Sequence, residues 1–342
     1  QNQVDASKDE INQMSAIVEK AINAGALGFS TSRTILHRDV HGVYVPGTEA
    51  SSEEMKELAF AVDRAGEGTL EIVSDWLDQE IEMSWMKEYV EKSDCGLTVL
   101  QTNGDSVKTI LYCEEQFLKG KNVRPQFPGR NVGLMFGLES SLHPFIGHPS
   151  YKDIAHLPLN ERLSIMRDPA FKQKILNESP SFRENLQKAA KEQKSNKTKE
   201  EIKAEAEIGK KLISNYETQF ILSDPPNYEP TREDSIAYLA EQRNQSEEEV
   251  IYDELIKDDG KSLIYACFTP YENHKLKFVE TFYKLKSSVA GGSDGGAHCG
   301  LICDASMPTT NLSHWARDRS AGNKIPLELI IRKQTKDTAE TY

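Results

Sequence analysis

One short stretch carries residue types suited to chemistry: Val289-Ala290-Gly291-Gly292-Ser293-Asp294-Gly295-Gly296-Ala297-His298. A run of small and apolar residues ends in a single carboxylate, glycines flank it, and a histidine follows four residues later. The pattern predicts a buried strand that stops abruptly, with Asp294 at its C-terminal tip and a turn that only glycine makes easily. Strand tips with an isolated carboxylate are where α/β barrels keep catalytic groups. The plainer alternative is a Ser-Asp-Gly-Gly surface turn. Such an acid suits a metal-assisted hydrolase as ligand, as base for water, or as both. His298 faces the same side if a helical turn follows, which makes Asp294 and His298 the candidate metal ligands. Cys299, Cys303 and Asp304 lie close by, without the second Cys or His pair that a zinc site of that kind needs.

The elements that must position this acid alternate along the chain. Residues 7–25 are predicted as a helix, opened by the capping pair Ser7 and Glu10 and stopped at Gly25. Residues 26–32 follow as a short strand. A second helix opens at Ser51, with Glu54 three residues on, and ends at Gly66. Strands at 69–75 and 97–101, separated by a helix over 79–92, lead to a helix over 106–118 and a strand over 123–127. Strands alternating with helices in this way favour βαβ units and a parallel sheet. Residues 128–158 show no clean periodicity but are rich in Gly, Pro and His, and are expected as a long loop. His143 and His148 in it are candidate substrate contacts, with ordinary packing as the other reading. Residues 160–216 are expected as helices that grow steadily more charged, a solvated excursion over 178–216. The strand–helix rhythm resumes at 220–222 and 263–268, and closes with the strand ending at Asp294 and a last helix from Pro326 toward Tyr342. On this picture Asp294 shares one mouth with Asp75, Gln101, Asn103 and the 265–271 segment.

Composition limits the partners. The chain has 342 residues, 38% hydrophobic and 28% charged, within the usual range for a globular protein. A formal net charge of -13 argues against nucleic acid or an anionic membrane surface, since both want clustered Lys and Arg. No apolar run approaches the roughly 18 residues that span a bilayer. Five scattered cysteines form no Cys-x-x-Cys pair, so reduced thiols and a cytoplasmic location are expected. No Gly-x-Ser-x-Gly elbow, P-loop or dinucleotide fingerprint is present. These exclusions leave a small-molecule partner open, and the oligomeric state stays open.

Three stretches carry a resemblance. They are Gly25-Ala26-Leu27-Gly28-Phe29-Ser30-Thr31-Ser32-Arg33-Thr34 with Val45-Pro46-Gly47-Thr48, then Gly292 to His298, then His314-Trp315-Ala316-Arg317-Asp318-Arg319 with Arg332 to Ala339. Together they resemble the N-acyl-D-amino-acid deacylase branch of the amidohydrolase superfamily. The resemblance implies an α/β fold, a TIM-like (β/α) barrel of the metal-dependent hydrolase type, here spanning 1–342 from about strand 4 to strand 8. It implies a fragment incomplete at both ends, carrying the charged helical insertion. The implied activity is hydrolysis of carbon–nitrogen bonds in linear amides by a zinc-activated water, with Asp294 as metal ligand and proton shuttle. Tyr44 falls where such deacylases place a substrate-facing tyrosine. Arg33 and the 143–148 loop are candidates to grip an anionic substrate, with a surface salt bridge as the other reading of Arg33. The chain departs from the pattern in lacking a His-x-His strand. Its strand-five and strand-six places, Ile72-Val73-Ser74-Asp75 and Leu100-Gln101-Thr102-Asn103, also lack histidine. That favours one zinc ion or none. The alternative is a catalytically impaired homologue acting as a binding or scaffold body.

Overall fold

The computed structural model describes residues 5–342 apart from 38, 40–43, 77, 102–106, 181–212, 270, 272, 297–299 and 303. Eight strands are described: β1 Gly28–Arg33, β2 Thr69–Ser74, β3 Gly96–Leu100, β4 Val123–Pro128, β5 Val132–Phe136, β6 Gln219–Ile221, β7 Ile264–Thr269 and β8 Val289–Gly291. The single domain expected over 1–342 is laid out as two compact units. The first holds residues 1–129, 277–293 and 307–342, the second residues 130–276 and 294–306. Most of the 178–216 excursion falls on residues 181–212, outside the described set. No helix among the described residues is long and apolar enough to cross a membrane.

The first unit is α/β. Its five strands form a parallel sheet in the order β1-β2-β3-β4-β8. The sheet is open, with β1 and β8 at its edges, and the described residues close no barrel. Helices Ser52–Ala65, Gln79–Lys92 and Val107–Leu118 connect the first four strands in turn. Right-handed crossovers between successive neighbours put such helices on one face. One buried cluster shows the result, with Met55, Met86, Tyr89 and Cys113 of the three helices packed on Leu70, Ile72, Leu97, Val99 and Val123 of the strands. Because strand side chains alternate, the opposite face carries Glu71, Thr98 and Gln126. There the Gln126 amide donates to Glu71 Oε1 at 2.8 Å and to Thr98 Oγ1 at 2.7 Å.

Local signals place the ends of these elements. Ser7 and Glu10 form the expected reciprocal cap of helix Lys8–Asn23. The Ser51 side chain accepts from Glu54 N, and Gly66, at φ +82°, ends that helix in the left-handed conformation glycine favours. At Gly28 the requirement is contact, because a Cβ there would lie 1.9 Å from the Thr69 carbonyl oxygen across the β1–β2 ladder. The last helix, expected to run unbroken from Pro326, stops at Gln334 and restarts at Lys336, with Thr335 between them at φ -126°.

The second unit corrects two expectations. Residues 128–158 are not a bare loop: they hold β5, a 3₁₀ turn at Pro144–Gly147 and helix Pro149–Ile154. The strands at 219–221 and 264–269 exist, but not as members of the parallel sheet. They form a separate antiparallel sheet in the order β5-β7-β6. The part of the 265–271 segment that is strand, within β7, therefore pairs with β5 and β6 and not with β3. Helices Leu159–Met166, Pro169–Leu176, Ile236–Arg243 and Glu247–Leu255 pack on it through Leu163, Ile175, Ile236, Val250 and Leu255, around Phe136, Phe145 and Ile264. Asp168 caps the Pro169 helix by accepting from Ala170 N, as its Asp-Pro sequence predicts.

Candidate functional site

Asp294 stands three residues beyond Gly291, the last residue of β8. The chain reaches it through left-handed residues, with Gly292 at φ +72° and Asp294 itself at φ +40°. Aspartate tolerates this region better than most side chains because its short carboxylate bonds locally. The turn expected there is present, and its acid is exposed. Within the second unit it also lines a cavity of about 450 Å³. The walls are mostly apolar, from Met135, Leu222, Leu263 and Ile302, with Tyr228, Ser306 and a second carboxylate, Asp304, in the polar part.

Asp304 leads to a buried network that sequence reasoning did not reveal. Its carboxylate is 2.9 Å from Arg130, with side-chain exposures of 2% and 0%. The Arg130 guanidinium lies over the Tyr228 ring at 4.2 Å and donates to Asn131 O at 3.2 Å. Tyr265 donates its hydroxyl to Asn131 Oδ1 at 2.6 Å, and Asn131 Nδ2 donates to Cys267 Sγ at 2.9 Å. Burial pushes the Cys267 thiol well above its ordinary value, so it stays protonated and inert as a nucleophile. Burial likewise holds the Tyr265 phenol far above its usual range. The network fixes the wall that carries Asp304 and Tyr228. The signal for it in the sequence is slight: an arginine after Phe127-Pro128-Gly129, and an acid close to Cys303.

The other predicted residues lie elsewhere. Arg33, at the end of β1 in the first unit, is bound to Glu82 through Nε at 2.8 and 2.9 Å and through Nη2 at 2.7 Å. Its Nη1 donates to Ala50 O at 2.8 Å, so this guanidinium is committed to a half-buried internal pair. Tyr44 is buried in the first unit, 6% exposed. His143 and His148 sit in the second unit's core and not in the lining of the Asp294 cavity. His143 Nδ1 accepts from Phe145 N at 3.3 Å, and its ring meets Tyr151 edge-on at 4.5 Å. Burial, then Arg162 and His148, lower the His143 pKa to about 3. Burial lowers that of His148 also. Both rings are neutral packing residues at neutral pH. His298, Asn103, Cys299 and Cys303 lie outside the described residues.

The strand tips do not fit the zinc donor set that the resemblance implies. At the β2 tip, Asp75 accepts from Thr34 Oγ1 at 2.6 Å and from Ile35 N at 2.7 Å, which occupies both carboxylate oxygens. At the β3 tip stands Gln101, buried, with neither amide atom partnered among the described residues. A neutral amide is a poor ligand for zinc, which favours N and S donors. Among the described residues no three His, Cys, Asp or Glu side chains converge to hold a metal. Comparison with family models, with curated proteins and with solved structures finds no match to this chain.

Proposed function

We propose that the chain is a hydrolase of linear amides, of the N-acyl-D-amino-acid deacylase type, in which Asp294 is the base for the attacking water. The observation that carries the reading is an exposed carboxylate that lies three residues past a parallel strand and lines a largely apolar cavity. Five parallel strands in sequential order, with their connecting helices on one face, also match an arc of a TIM-like (β/α) barrel. In the proposed step Asp294 takes a proton from water and the resulting hydroxide adds to the amide carbon. The carbon–nitrogen bond then breaks as the proton passes to the leaving nitrogen, giving a carboxylic acid and an amine. The apolar walls would hold the acyl part. Unpaired Cys95, Cys113 and Cys267 support the cytoplasmic setting that belongs to this reading.

The test is amine release by the full chain from N-acyl-D-amino acids, their L-enantiomers and their uncharged carboxamides. Because the described lining holds the exposed Asp294 carboxylate and no cation, while Asp304 is paired with Arg130 behind it, the carboxamides are expected to react faster than the free acids. Asp294→Asn is expected to lower kcat/KM at least a hundredfold, the usual order for loss of a general base. Because Asp294 is exposed, the same change is expected to alter stability by under about 0.5 kcal/mol. No turnover, or equal turnover by the variant, ends the proposal. The second reading, a binding body without catalysis, is favoured by Asp75 and Gln101 standing where metal-binding histidines are implied. It predicts saturable binding of the same amides with no amine released.

A further inference from the structure

A second cavity, of about 560 Å³, lies in the first unit between helix Lys277–Lys284, helix Leu327–Gln334 and the segment at 323–326. This volume is in the range of small-molecule sites. One part of its lining is apolar: Phe117, Tyr283, Leu285, Ile325 and Leu329. The other part is basic. Lys284, Lys286, Lys324, Arg332 and Lys333 stand against two carboxylates, Glu280 and Asp337. Both acids are already neutralised. Glu280 lies 3.0 Å from Lys284 and 3.3 Å from Arg319, and Asp337 lies 2.9 Å from Arg332 and 3.7 Å from Lys333. The Lys286 ammonium makes no hydrogen bond or ion pair with the described residues, and that of Lys324 donates to the Arg317 carbonyl. Lys333, 2% exposed, is pinned behind the wall by bonds of 2.8 Å to Leu285 O and Ser288 O. The Tyr283 hydroxyl in the same wall is buried and has no hydrogen-bond partner among the described residues.

A positive cavity in a chain of net charge -13 runs against the field of the whole molecule. Surplus cations beside a low-dielectric wall concentrate potential where an anion would sit. An inorganic anion would leave the apolar wall wet, and a neutral hydrocarbon would leave the ammonium groups unpaired. We infer that this cavity binds a small amphiphilic carboxylate, its alkyl body on Tyr283, Ile325 and Leu329 and its head group at Lys286 and Lys324. The inference is independent of the Asp294 proposal, since it concerns other residues.

The test is titration calorimetry of the full chain with octanoate, octylammonium and inorganic phosphate at low salt. Octanoate is expected to bind saturably at one per chain, at least tenfold more tightly than either of the others. Lys286 is exposed, so Lys286→Glu leaves the fold intact, and it is expected to weaken octanoate about tenfold. Leu329→Gln, on the apolar wall, is expected to weaken octanoate while leaving any phosphate binding unchanged. Absence of saturable octanoate binding, equal binding of octylammonium or phosphate, or wild-type affinity in Lys286→Glu each overturns the inference.

Discussion

Asp304→Asn is expected to destabilise the protein by about 3–5 kcal/mol, the cost of leaving one member of a buried ion pair behind. The size follows from where the charges sit. Arg130 has no exposed surface, so water cannot take the place of the lost counter-charge. Tyr228 stacked on it and the Asn131 carbonyl soften the cost without supplying a counter-charge. Arg130→Met alone is expected to cost a similar amount, because it strands the Asp304 carboxylate. The double change Arg130→Met with Asp304→Leu removes both charges and is expected to recover most of the loss, as buried pairs replaced by apolar side chains often do. Urea unfolding followed by circular dichroism of the two single variants and the double variant gives the coupling directly. Single-variant losses below about 1 kcal/mol would show that water reaches the pair and that the network does not hold the cavity wall.

What the sequence discloses about this molecule divides by distance along the chain. Helices Lys8–Asn23 and Ser52–Ala65 are legible because caps and apolar spacing lie within a few residues of one another. Strands β1 to β4 are legible because each follows a helix in a regular helix–strand alternation, with short runs such as Leu70-Glu71-Ile72-Val73 and Leu97-Thr98-Val99-Leu100 between the helices. The β5 strand is hidden: four of the five residues in Val132–Phe136 are buried, so no alternation marks them, and Gly133 and the flanking Gly-rich sequence suggest a loop. Strands β6 and β7 show as strands, yet nothing local states that they run antiparallel in their own sheet. The site follows the same rule. Asp294 and its turn are written in one decapeptide. The pairing of Arg33 with Glu82 joins residues 49 positions apart, and that of Tyr265 with Asn131 joins residues 134 apart. No pattern in the chain foretells either, because only folding brings the partners together. His143 and His148 take the packing reading that the sequence leaves open, and the choice again depends on contacts made only in the fold. Histidines beside prolines suggest an exposed loop, whereas the 3₁₀ turn at Pro144–Gly147 carries them into an apolar core.

That burial sets the second large effect, a loss of stability on mild acidification. The ordinary histidine pKa is near 6.5, and in the folded chain that of His143 lies at about 3. Burial is the first cause. Arg162 adds to it, held near the ring by bonds of 2.7 Å to Tyr151 Oη and to Leu138 O. Above pH 6.5 the ring is neutral whether folded or unfolded, and contributes nothing to the pH dependence. Between pH 6.5 and 3 the unfolded chain takes up a proton that the folded chain refuses, so stability falls by about 1.4 kcal/mol per pH unit. From pH 6.5 to 5, before most carboxylates titrate, His143 alone is expected to remove about 2 kcal/mol. His148 acts in the same direction, because burial outweighs the pull of Glu248 and Glu178 toward the charged form. His143→Gln cannot titrate and retains a side-chain acceptor for Phe145 N, so it is expected to flatten the curve over that window by the same amount. Urea unfolding of the wild-type and His143→Gln proteins at pH 5.0, 5.7 and 6.5 measures the difference. Parallel curves for the two proteins would mean that His143 takes up its proton without unfolding, and so that the ring is not sealed in the core.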